Sequence, residues 1–89
     1  MKNPDLMKLR SDCSLMDLRG RYLLIRPGGP ALQVNESFAW LWKVASKGLF
    51  SVKSLTEAIC EEFDSSEEEA LEQVHQTLAL WQQLDVIAK

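Results

Sequence analysis

The spacing of apolar residues changes once along this chain, and the change restricts the folds that it can adopt. Before residue 35, short apolar runs are separated by glycine and proline; after it, apolar residues recur every three or four positions. The first pattern is typical of strands and the second of α-helices. A chain of 89 residues has room for one hydrophobic core. The sequence therefore predicts a single α+β domain in which the strands come first.

Two breaker segments divide the first part into three predicted strands. Residues 14–18 and 21–26 flank Arg19-Gly20, which predicts a β-hairpin with a two-residue turn. A hairpin with a longer loop is the alternative. With the short turn, four apolar side chains share one face of the hairpin: Met16, Leu18, Leu23 and Ile25. The segment Pro27-Gly28-Gly29-Pro30 then breaks the chain before a third strand over residues 31–34.

Capping residues mark the starts of three predicted helices. Asn35 is a good N-cap for a helix that runs to about Ser46, before Gly48. Ser54 and Ser66 each precede a glutamate by three positions, which predicts capping boxes for the second and third helices. The third helix is expected to end near Gln83 and to be followed by an extended tail.

The predicted fold is a three-stranded antiparallel sheet followed by three helices, similar to a winged helix-turn-helix. A sheet of three strands cannot bury itself alone, so the helices are expected to cover one of its faces. Residues 1–11 contain Pro4 and several charges without a clear period, and we interpret them as an N-terminal arm. Residues 12–89 form the predicted domain.

Residue types that carry catalysis or bind metals are few. His75 is the single histidine, no second ligand stands at metal-binding spacing from it, and neither Cys13 nor Cys60 belongs to a Cys-x-x-Cys pair. The consecutive acids of residues 67–69 point in different directions on a helix, so they cannot converge on one ion. The sequence therefore predicts a protein that is not an enzyme and has no metal and no cofactor.

Charge and hydropathy argue against nucleic acid and membranes as partners. The third predicted helix would be the recognition helix of a winged helix-turn-helix, yet it carries Glu67, Glu68, Glu69 and Glu72 and no Lys or Arg. A DNA-binding or regulator-binding winged-helix protein is retained as the alternative. The apolar runs are too short to span a bilayer, and no secretory signal pattern opens the chain, which predicts the cytoplasm.

Two surfaces are candidates for binding a peptide. The third strand is expected at a sheet edge, and residues 31–34 carry no charge that would block pairing. On the third helix, Thr77, Leu80 and Leu84 widen the apolar face beyond the arc that core packing needs, unless the arm or the tail covers them. An open edge beside an apolar helix favours β-strand addition of a partner peptide. Homodimerisation through the same edge is the other possibility.

Several segments, taken in order, resemble the PqqD-like family. The run from Leu32 to Trp42 is similar to that family's passage from an apolar strand through Asn-Glu into a helix containing tryptophan. The segment Phe50-Ser51-Val52 and the later Glu61-Glu62-Phe63 resemble its next helix region, and the closing helix is similar too, although Asp85 stands where glycine is common. The resemblance covers about residues 14–87.

This resemblance implies a recognition element for ribosomally synthesised and post-translationally modified peptides. Such a domain binds the leader segment of a precursor peptide and presents it to a separate modifying enzyme, for example a radical-SAM or peptidase-cyclase protein. The leader adds as a strand to the third β-strand and packs on the third helix. The implied peptide-binding residues are Ala31, Leu32, Gln33, Val34, Val74, Thr77, Leu78 and Trp81.

Overall fold

The computed structural model describes residues 6–88, and within them three strands precede three helices. The strands form one antiparallel sheet in which they lie in chain order, which confirms the predicted fold class. None of the helices in the described part of the chain has an apolar stretch that could cross a membrane. The elements are β1 (Ser14–Leu18), β2 (Arg21–Ile25), β3 (Leu32–Val34), α1 (Glu36–Ala45), α2 (Val52–Phe63) and α3 (Glu67–Leu84).

The hairpin turn has the two residues that the sequence predicts. Leu18 pairs with Arg21, and both residues between them have positive φ, 53° for Arg19 and 88° for Gly20. Positive φ at both central positions is the signature of a type I′ turn, whose twist matches that of the flanking strands. The carboxylate of Asp17 accepts a hydrogen bond from the Gly20 N–H at 3.3 Å. This turn fixes the register of β1 against β2.

The caps of α1 and α3 are those predicted, and the start of α2 is not. The Asn35 side chain accepts from the Phe38 N–H at 2.8 Å, and Ser66 forms a capping box with Glu69. The prediction that Ser54 caps α2 is wrong. Ser51 is the N-cap, and its hydroxyl accepts from the Ser54 N–H while the Ser54 hydroxyl accepts from the Ser51 N–H. Serine here fills the position where a capping box usually has glutamate or glutamine.

Four aromatic rings form the centre of the core. The ring centroid of Trp81, which has no exposed surface, lies 5.9 Å from Phe38, 5.7 Å from Trp42 and 5.8 Å from Phe50, each edge to face. Edge-to-face contacts of this kind stabilise a core beyond the area that they bury. The sheet contributes Leu24, which is fully buried. Trp81 thus joins α1, α3 and the segment before α2.

Leu71 and Phe63 lie outside the core, although both are large apolar residues on helices that pack against it. Leu71 is 40% exposed and Phe63 is 55% exposed. The core face of α3 is instead centred on residues spaced by four, from Ala70 through Val74 to Leu78. Leu71 follows Ala70 by one position, which turns its side chain about 100° away. Phe63 is the last residue of α2, and its ring centroid lies 4.9 Å from that of Trp40.

The described part of the N-terminal segment packs against the chain's C-terminal end. Met7 and Phe50 exchange backbone hydrogen bonds of 2.7 and 2.8 Å. Leu9 is buried and pairs with Ile87, in the extended tail that follows α3. Arg10 donates to the Asp85 carboxylate at 3.0 Å. These contacts leave the flank of α3 at Leu80 uncovered by residues 6–11 and 85–88, and Leu80 is 41% exposed.

Candidate peptide-binding site

The hairpin register determines the direction of the backbone groups of β2. In a two-residue hairpin the residues that flank the turn, here Leu18 and Arg21, form a hydrogen-bonded pair. Backbone direction alternates along a strand, so Arg21 and Leu23 direct their N–H and C=O groups towards β1. Tyr22 and Leu24 must then direct theirs towards β3.

The same alternation leaves one residue of β3 with outward-facing backbone groups. Tyr22 pairs with Val34 and Leu24 pairs with Leu32, so these two residues of β3 are bonded to β2. Gln33 lies between them and directs its N–H and C=O away from the sheet. No strand within residues 6–88 pairs with this edge. Gln33 therefore offers both a donor and an acceptor to an incoming strand.

The side chains of β3 alternate in the opposite sense. Leu32 and Val34 are half-buried and pack against the core, while the Gln33 side chain is exposed on the outer face of the sheet. Ala31 is exposed and precedes the strand, so the predicted pairing strand is one residue shorter in the structure. A strand added here would direct alternate side chains inwards, beside those of Leu32 and Val34.

A groove of about 570 Å³ lies where β3 leads into α1, with α3 as its opposite wall. Phe38 and Leu80 supply its apolar surface, and the other side chains that line it are polar. The wall on α3 follows one helical face, because its positions are spaced by three and four. The lining residues are Asn35, Ser37, Phe38, Glu69, Glu72, Gln73, Gln76, Thr77 and Leu80.

Of the four α3 residues implied by the resemblance, Thr77 alone lines this groove. It is half-buried, on the shoulder between the core face and the exposed flank. Val74 and Trp81 have no exposed surface and Leu78 is 8% exposed. In this structure these three side chains support the groove from the core and do not line it. The contact of Thr77 with a peptide stays a prediction.

A family profile and a solved structure both match this chain. The profile of a family described as coenzyme PQQ synthesis protein D matches residues 13–87. The chain belongs to the PqqD family. Among solved structures it is similar to "TbiB1 in Complex with the TbiA(beta) Leader Peptide", with a TM-score of 0.77 and 13% sequence identity over 91% of this chain and 94% of that chain. At this identity the likeness shows a shared fold. Among curated proteins, none matches the sequence significantly.

The polar residues of the groove are the part of this candidate site that the sequence did not reveal. Gln73, Gln76 and Glu72 line it beside Thr77 and Leu80. Their spacing from Thr77 and Leu80 was a usable signal, because residues three and four apart share a helical face. A search of the sequence for apolar residues does not detect them, because their side chains are polar. The groove is therefore a mostly polar cleft with apolar contacts at Phe38 and Leu80.

Within residues 6–88, the groups with potential reactivity include a buried thiol and an exposed imidazole. Burial raises the pKa of the Cys13 thiol, which keeps it protonated and poorly nucleophilic. His75 is exposed on α3 outside the groove. Among the described residues, no three His, Cys, Asp or Glu side chains lie close enough to hold a metal ion. The groove offers polar side chains suited to binding, and the open backbone groups of Gln33 lie on the strand that leads into it.

Proposed function

We propose that this PqqD-family chain binds the leader segment of a ribosomally synthesised precursor peptide by β-strand addition to β3. It presents the bound peptide to a separate modifying enzyme, of the radical-SAM or peptidase-cyclase type, in the cytoplasm, and it does not itself catalyse the modification. The observation that carries the proposal is the open backbone of Gln33 next to the groove on α3. Strand addition needs this combination, since main-chain bonds supply affinity and the groove supplies specificity.

The similar solved structure supports a leader peptide as the ligand. TbiB1 was solved with the TbiA(beta) leader peptide, and the fold match spans nearly all of both chains. Family membership over residues 13–87 adds that the whole domain, rather than one motif, is shared. In this chain the edge that would receive a leader has no charged residue on β3 and no partner strand within residues 6–88.

Hydrogen exchange can locate the added strand. Binders would first be selected from a displayed library of random peptides about ten residues long, enough for one strand. A synthetic peptide from that selection is expected to slow amide exchange at Gln33, because its N–H gains a partner. Leu15 and Asp17 are matched controls, since their N–H groups point outwards from β1 at the other sheet edge. Protection at those residues instead of Gln33 would contradict the proposal.

The DNA-binding alternative leads to an opposite expectation. Glu67, Glu68 and Glu69 are exposed in the first turn of α3, and Glu72 is exposed in the next. These carboxylates would face phosphates if α3 entered the major groove, so we expect no binding to random duplex DNA at micromolar protein and about 0.1 M salt. A gel-shift titration tests this. A clear, salt-sensitive shift would favour the regulatory function instead.

A further inference from the structure

The groove has an acidic end and an apolar end. Glu69 and Glu72 line it from the first half of α3, whereas Leu80 lies about two helical turns beyond Glu72 on the same helix. Glu69 is engaged in the helix cap with Ser66. Glu72 is exposed and forms no ion pair within residues 6–88, and no Lys or Arg lines the groove. A bound peptide would therefore meet an unneutralised carboxylate at one end.

The fold fixes the direction of β3 relative to this charge. Asn35 follows β3 directly and lines the groove, and β3 runs away from the C-terminal end of α3, as the contacts of β2 show. Arg26 follows β2 and donates to the Leu84 carbonyl at 3.2 Å, which places the end of β2 beside the end of α3. The start of β3 pairs with the end of β2. A strand added antiparallel to β3 thus begins near Glu72 and runs towards Leu80.

The register of pairing fixes which peptide side chains enter the groove. The peptide residue opposite Gln33 exchanges both backbone hydrogen bonds with it, and its own side chain points to the outer face. Its neighbours, opposite Val34 and Leu32, direct their side chains inwards. Inward side chains recur every second residue. Glu72 and Leu80 are separated by about 12 Å along the helix axis, and four strand residues span about 13 Å.

We infer that the groove selects an extended peptide with a lysine or arginine four positions before a large apolar residue. The cation lies beside Glu72, and the apolar side chain packs on Leu80 and Phe38. We assign the antiparallel direction because both existing strand pairs of the sheet are antiparallel. Antiparallel pairing is also slightly more stable per residue than parallel pairing. This inference rests on the proposed function and adds the class of leader segment that the site accepts.

A charge exchange tests the inference. The probes are fluorescein-labelled peptides built on the strongest binder from the displayed library, with Lys or Glu at the position four before the apolar residue. The unchanged protein is expected to prefer the Lys peptide by about threefold to tenfold, the range for a solvent-exposed charge contact that is reversed. Glu72→Lys is expected to reverse this preference. Glu61→Lys, an equal charge change on the exposed face of α2 outside the groove, is expected to leave it unchanged.

Each contrary outcome has a distinct meaning. Equal affinity of the unchanged protein for the Lys and Glu peptides would overturn the inference, while slowed exchange at Gln33 would still support strand addition. A preference for peptides in which the apolar residue precedes the lysine would overturn the antiparallel direction. If no library peptide is enriched at all, the proposed function fails and the inference fails with it. Thermal unfolding of Glu72→Lys checks that the exposed substitution leaves the fold intact.

Discussion

Replacing Thr77 by glutamate is expected to weaken leader binding about fivefold to 150-fold while leaving thermal unfolding close to that of the unchanged protein. Thr77 lines the groove and is half-buried on its shoulder, next to Leu80. In the free protein a carboxylate at this position reaches water. A bound peptide would cover it without a matching donor, which costs about 1–3 kcal/mol. Fluorescence anisotropy with the selected peptide measures the loss.

His75→Glu is the matched control for this substitution. It also places a carboxylate in the middle of α3, but on an exposed face outside the groove. We expect its affinity to remain within about threefold of the unchanged protein, or roughly 0.65 kcal/mol. If Thr77→Glu binds the peptide as well as His75→Glu does, the peptide does not occupy this groove.

Local sequence signals predicted most of the fold, because the interactions that fix these elements span few residues. The turn at Arg19-Gly20 and the caps at Asn35 and Ser66 depend on neighbours within three positions. The same local signals misplace the start of α2. Ser51 and Ser54 each stand three positions before a residue that can complete a capping box, so the sequence alone does not distinguish them. Only the structure shows that the pair Ser51 and Ser54 forms the capping box.

The candidate site was harder to predict, because it depends on directions that arise from the assembled sheet. The sequence placed β3 at an edge but could not say which of its N–H groups point outwards. The two-residue turn determines which backbone groups of β2 point towards β3. These groups pair with Leu32 and Val34, so the N–H and C=O of Gln33 point outwards. The sequence predicts a broad apolar face on α3, and the contacts of Trp81 with three aromatic rings show that this residue belongs to the core. Thr77 remains at the surface.

Replacing Gln33 by proline is expected to reduce leader affinity by about fivefold to 150-fold, because it removes the outward N–H that the added strand would use. The loss in folding stability should be small, since this N–H makes no bond to β2 in the free protein. Gln33→Ala retains the N–H and removes only an exposed side chain, so its affinity should stay close to that of the unchanged protein. The pair of variants separates the backbone contribution from that of the side chain.

Val34→Pro is the complementary control for the backbone direction. Val34 pairs with Tyr22 and its N–H points to β2, so proline there removes a ladder hydrogen bond and should lower the free energy of unfolding by about 1–3 kcal/mol. Chemical denaturation of both proline variants compares the two positions. Equal destabilisation by Gln33→Pro and Val34→Pro would show that the assigned backbone directions are wrong. A folded Gln33→Pro with unchanged peptide affinity would instead show that the leader does not pair with β3.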